Sequence, residues 1–157
     1  MNPIKIVSCV LIAGLLLSLK VIAQSELDLA DIRLPPGFAI EIWTDEVPNA
    51  RSMALGANGT VFVGTRRDGR VYAVVPKLAS SPTVITIAEG LEMPNGIAFH
   101  DGDLYVAENH QILRFDGIET RLDDIPDPAV VIDTLSTETH HGWRYIDFGP
   151  DSKLYVA

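Results

Sequence analysis

The chain has 157 residues, 47% of them apolar, with a net charge of −9 and a pI near 4.7. That length suits one ordinary domain. The acidity excludes nucleic acid and anionic membrane surfaces as electrostatic partners, because a negative field repels phosphate at long range.

Residues 1–23 have the three parts of a secretory signal. Lys5 gives a short positive region, residues 6–19 are apolar apart from Ser8, Cys9, Gly14 and Ser18, and Val21-Ile22-Ala23 ends on a small residue. Cleavage is expected after Ala23, which places the mature protein in a periplasm or outside the cell. The apolar run of about 14 residues is shorter than the roughly 20 that cross a bilayer, so no membrane span is expected once it is removed. Losing Lys5 and Lys20, with no acid, takes the net charge to −11. Cys9 leaves with the signal, and a cysteine-free exported domain must be held by a large core or by sheet closure.

Residues 24–37 read as a lead-in. One or two helical turns are expected at 25–32, and Leu34-Pro35-Pro36-Gly37 then stops any helix. From residue 38 onward the chain is short strands separated by turn residues. Residues 38–44 (FAIEIWT) alternate apolar and polar, as a half-buried strand does. Strands are expected at 52–55 and 61–65 around Gly56-Ala57-Asn58-Gly59, where Asn-Gly suits a tight hairpin with positive φ at both central positions. Arg67-Asp68-Gly69-Arg70 turns into 71–75, residues 76–82 read as a loop between Pro76 and Pro82, and 83–88 is β-branched. The pattern restarts at 95–99, 104–108 and 111–115, passes a polar connection to 130–134, and starts again at 143–148 and 154–157.

The repeat is visible in the letters: SMALGANGTVFVGT, NGIAFHDGDLYVAE and YIDFGPDSKLYVA. Val61 to Leu104 is 43 residues and Leu104 to Leu154 is 50. Four-stranded units at this spacing are the signature of β-propeller blades; the competing architecture is a β-sandwich of unrelated hairpins. Residues 38–157 hold about two and a half such units. A ring of 4–8 blades does not close on that number, so the chain is expected to be a piece of a longer polypeptide.

LPPGFAIEIWTDEVPNARSMALGANGTVFVGTRRDGRVYAV at 34–74, NGIAFHDGDLYVAENHQILRF at 95–115 and HHGWRYIDFGPDSKLYV at 140–156 resemble the soluble quinoprotein glucose/sorbosone dehydrogenase family. The likeness is greatest to its L-sorbosone-dehydrogenase-like branch. It covers 34–157 and corresponds to the N-terminal portion of that family. It implies an all-β, six-bladed propeller carrying pyrroloquinoline quinone (PQQ) on its axis. The implied activity is hydride-transfer oxidation of sugars or sugar-derived aldehydes, with electrons passed to a respiratory acceptor. In the family a histidine four residues ahead of an arginine, just before an FGPD-G-KLY turn, is the catalytic base. That role falls on His140, four before Arg144, with His141 as the neighbouring candidate. An imidazole suits it, because oxidising a C–OH by hydride loss leaves a proton to be taken near neutral pH. The resemblance makes Arg144 a contact for the cofactor's carboxylates or quinone oxygens. The alternative is a salt bridge from Arg144 to a nearby acid. Where the family places a polar cofactor contact, often glutamine, before its GFAFH-like strand, this chain offers Asn95. The family's calcium loop and remaining PQQ contacts belong to later blades, so no metal ligand is expected among these residues.

Two other functions compete: an NHL-like propeller binding a protein or glycan without catalysis, and a calcium-dependent lactonase-like propeller, for which Glu108 and Asn109 are the only inward acid and amide. His100 and His110 read as turn residues. Arg66, Arg67 and Arg70 read as a solvated hairpin tip, and Glu119, Asp123, Asp124 and Asp127 as an acidic connection without calcium-loop spacing. Asn58-Gly59-Thr60 is a glycosylation sequon that its turn accounts for.

Overall fold

The computed structural model describes residues 29–157; the expected signal sequence, and the part of the expected helical turns before Leu29, lie outside the described residues. The chain separates into two units, Met1–Glu41 and Ile42–Ala157. In the described part of the first, Leu29–Asp31 is a single 3-10 turn. Gly37 takes φ +88°, and the Phe38 amide donates to the Pro35 carbonyl at 3.2 Å. The strand expected at 38–44 does not form; Phe38, Ile40 and Ile42 are exposed and no ladder partner runs beside them. Alternation prepares a segment to bury one face, but an isolated extended segment has no partner for its backbone groups.

The second unit is all-β and antiparallel throughout. The first sheet runs in the order β1 (Met53–Leu55), β2 (Val61–Gly64), β3 (Val71–Lys77), β4 (Ser80–Ala88). The second repeats it with β5 (Gly96–His100), β6 (Asp103–Ala107), β7 (Ile112–Phe115) and β8 (Ala129–Ile132). A third sheet pairs β9 (Ile146–Phe148) with β10 (Leu154–Val156). Among the described residues there is no α-helix, and hence none long and apolar enough to cross a membrane.

Turn chemistry departs from expectation in two places. At Asn58-Gly59 only Gly59 has positive φ (+88°), because the loop is longer: the Gly59 amide donates to the Gly56 carbonyl and the Gly56 amide to Thr60. The tight turn with two left-handed residues is Asp101-Gly102 instead, at φ +51° and +92°, joining His100 to Asp103. The loop expected at 76–82 is a hairpin, in which Lys77 pairs with Ser80 across Leu78-Ala79. Its prolines are tolerated because Pro76 lies beyond the β2 ladder, at a register shift, and Pro82 lies on the edge strand β4.

Between sheets, the closest approaches are made by β1 and β2 on β5, and by β5 on β9. One face of the first sheet (Phe62, Val71, Ala73, Ile87) packs on Ile97, Leu104, Val106 and Phe115 of the second. The opposite face of the second (Ala98, Ala107, Ile112) packs on Ile146 of the third. Two glycines permit the close fit. A side chain on Gly64 would collide with the Pro94 carbonyl and Ile97, and one on Gly96 would meet the Arg144 carbonyl and the Ala107 methyl at 3.0 Å.

A polar latch joins the first two sheets. Glu119, in the 3-10 turn Ile118–Thr120 after β7, accepts hydrogen bonds from the Asn58 amide at 3.0 Å and the Thr60 amide at 3.2 Å. It is thus a buttress for the β1–β2 turn rather than part of a solvated acidic connection. Hydrogen bonds to a charged group contribute about 1.5–3 kcal/mol, less where water competes. We expect Glu119→Ala to destabilise the unit by about 1–2 kcal/mol, with Glu119→Gln intermediate, read from urea midpoints at constant m.

The β9–β10 turn carries the clearest perturbed acid. The Lys153 ammonium, 3.1 Å away, holds the Asp151 carboxyl below its ordinary value of 3.8, helped by the Lys153 amide and the Tyr155 hydroxyl. A depressed folded pKa means that this contribution is complete above the unfolded value and is lost as pH falls through the lower folded one. Below about pH 4, protection of the Gly149 and Ser152 amides, taken relative to their intrinsic exchange rates, should therefore fall, and Asp151→Asn should remove that pH dependence of protection.

Candidate functional site

The starts of the first strands β1, β5 and β9 lie at one end of the three sheets. The repeat puts Arg51, Asn95 and Arg144 at the same position, two residues before Met53, Ile97 and Ile146. An open recess of about 490 Å³ forms there, walled by Ala50, Arg51, Ser52, Asn95, Trp143, Tyr145 and Ala157. A second recess shares Ala50 and Arg51 with it and is bordered by Asn49, Arg66 and Arg67.

Asn95 is 5% exposed, and its amide nitrogen donates to the Arg144 carbonyl at 2.8 Å. It thereby fixes the entry to β9 from the facing strand. The Arg144 guanidinium reaches back over its own loop, Nε to the Asn109 carbonyl at 3.1 Å and Nη2 to the Ser136 carbonyl at 3.3 Å. Its partners are backbone carbonyls and not the nearby acids.

The loop between Ser136 and Arg144 carries both histidines. His141 is left-handed at φ +56°, and a side chain on Gly142 would collide with the Glu138 carbonyl. A non-glycine residue in that region costs of order 1 kcal/mol or more and persists only where its surroundings hold it. The turn sets the His140 and His141 rings edge to face, centroids 4.4 Å apart, and brings His141 to 5.5 Å from the Trp143 ring. Both histidines are exposed.

Trp143 is covered by Arg66, whose Cζ lies 3.9 Å from the ring centroid. Arg66 is therefore not a solvated hairpin tip. Of the three arginines grouped there in sequence, Arg70 pairs with Asp68 and Glu89. Among the described residues, Arg51, Arg66 and Arg67 make no ion pair, in a strongly acidic chain. The Nε of Arg66 is buried without an acceptor, and Oδ1 of the fully buried Asn109 is buried without a donor. Arg66 and Asn109 are repeat equivalents, each the second residue after its strand, β2 or β6.

Glu108 is buried but committed. One carboxylate oxygen accepts the Glu92 amide and the other the Gln111 side chain. Glu92 in turn bonds Asn109 Nδ2 and His110 Nδ1, so this acid and amide pair supports the loop between the first two sheets. His100 stacks on Phe148 with centroids 4.1 Å apart. Among the described residues, no three His, Cys, Asp or Glu side chains converge as a metal ion would require.

Compared with known families and characterised proteins, the chain matches no family model and no curated sequence. The structure brings Asn95 to the backbone of Arg144, His141 to the Trp143 ring, and His140 to His141. The pairing of Arg66 with Trp143, 77 positions apart, was invisible locally. Its only trace in the sequence is that Arg66 occupies the repeat position of Asn109.

Proposed function

We propose that this chain is part of an exported, PQQ-dependent dehydrogenase of the glucose/sorbosone type, its sheets being successive blades of a six-bladed propeller. The observation that carries the reading is the convergence of three equivalent strand starts on one recess, walled by the Trp143 ring that His141 approaches to 5.5 Å. Support for the ring comes from the packing: successive four-stranded meanders approach most closely at their first strands, as sectors around a shaft do.

The recess suits a flat, polar cofactor in its chemistry. Its volume is within the range of small-molecule sites, Trp143 and Tyr145 supply aromatic wall, and the cations beside it lack acidic partners. Bound PQQ would supply the hydride acceptor. The chain's own part is to place an imidazole and hold it still. His140 takes the proton of the substrate hydroxyl, or of a hydrated aldehyde, on a ring nitrogen. Arg144 positions the loop through Asn109 and Ser136, and Asn95 clamps the backbone of Arg144. The substrate is a sugar or sugar-derived aldehyde, and the electrons pass to a respiratory acceptor. Calcium, in this reading, is bound by later blades.

To test this, the whole protein is loaded with PQQ and calcium, free quinone is removed, and dye reduction is followed with aldoses and their aldehyde derivatives. Substrate-dependent reduction is expected. A protein that retains the quinone yet reduces dye with none of them refutes the assignment and favours a propeller that only binds.

A further inference from the structure

We infer that Arg51, Arg66 and Arg67, with Trp143 as platform, form a carboxylate-binding site for a small anionic ligand. The inference rests on the proposed function and deepens it by naming the charge of what binds at the second recess, which shares Ala50 and Arg51 with the first.

The Arg66 guanidinium lies over the Trp143 indole, Cζ 3.9 Å from its centroid, a cation–π contact that uses none of its N–H donors. Those donors form the edge that matches a carboxylate in bidentate fashion. Nε is withdrawn from water and has no acceptor among the described residues, an arrangement that costs free energy until an acceptor arrives. Arg51 and Arg67 border the same recess and are likewise without an acidic partner, although acids outnumber basic residues 21 to 12. Neighbouring Arg70 shows the contrast, since it is neutralised by Asp68 and Glu89. Three cations left unpaired in one recess, the middle one stacked and with a dry donor, make a receptor for an oxyanion. The carboxylate could belong to the quinone cofactor or to an acidic sugar, and both offer the same planar pair of oxygens.

The full chain carrying Trp43→Phe leaves Trp143 as its sole indole reporter. Its fluorescence is titrated with PQQ, with sodium gluconate and galacturonate, and with neutral glucose. At least one carboxylate is expected to change Trp143 emission saturably, with affinity falling as salt rises. Arg66→Ala should weaken it at least tenfold, Arg66→Lys nearly as much because the flat fork is lost, and Arg70→Ala less than threefold. Circular dichroism confirms that each variant is folded. Response to PQQ alone assigns the site to the cofactor; response to the sugar acids assigns it to substrate. If sugar acids bind through Arg66 and PQQ does not, the anion site stands and belongs to substrate, while the dehydrogenase reading is decided separately by dye reduction in the whole, quinone-loaded protein. If PQQ binds equally well to wild type and Arg66→Ala, or no carboxylate binds at all, this inference is overturned.

Discussion

Replacement of His140 by alanine is expected to lower turnover of the whole, PQQ-loaded protein by about 10²–10⁴-fold, the usual contribution of a positioned general base. The side chain is exposed and is absent from the core clusters, so folding should be unchanged. Quinone retention should also be unchanged, because the substitution removes a proton acceptor and no cation. His141→Ala is the paired control. His141 lies nearer Trp143, and its left-handed backbone shapes the loop, so a loss of less than tenfold is expected, expressed as much in KM as in kcat. If turnover survives His140→Ala intact, the base lies elsewhere. If His141→Ala is the variant that loses it, the two roles are exchanged. Steady-state dye reduction over a pH series, with bound quinone measured in parallel, separates these outcomes.

Phe62→Ala should have the largest effect on stability. Phe62 is fully buried between the first two sheets, stacked on Phe99 with centroids 5.4 Å apart. Removing a buried phenyl ring costs about 3–5 kcal/mol, the transfer term plus the cavity. That is a large share of the 5–15 kcal/mol typical of a domain. The expected result is a urea midpoint shifted to much lower concentration with little change in m. Phe38→Ala, at a residue 72% exposed, should stay within about 0.5 kcal/mol of wild type. Equal effects would mean that the sheets do not share the core described here.

The ladder of short strands was legible because alternation and turn residues act locally. Every strand from Met53 onward was anticipated within a few residues, and the duplicated LYVA phrase marked the repeat. The errors arose where a local signal was outweighed by its surroundings. The sequence 38–44 alternates well but no strand lies beside it. Pro76 and Pro82 suggested a loop, yet one lies beyond the β2 ladder and the other on an open edge, where a missing N–H costs little. At the site, the histidines, Arg144 and Asn95 could all be named from the resemblance. What Asn95 and Arg144 hold could not be named, because both grip backbone carbonyls, and a carbonyl leaves no mark in the letters. The contact of Arg66 with Trp143 joins two sheets and has no local signature at all.

The Leu78-Ala79 reversal has a practical use. β3 runs away from the recess, so this reversal sits roughly 20 Å along the strand from the end where ligands are proposed to bind. Leu78 is wholly in solvent. Leu78→Cys would therefore place a thiol for attaching a dye or an electrode tether on the side opposite the arginines.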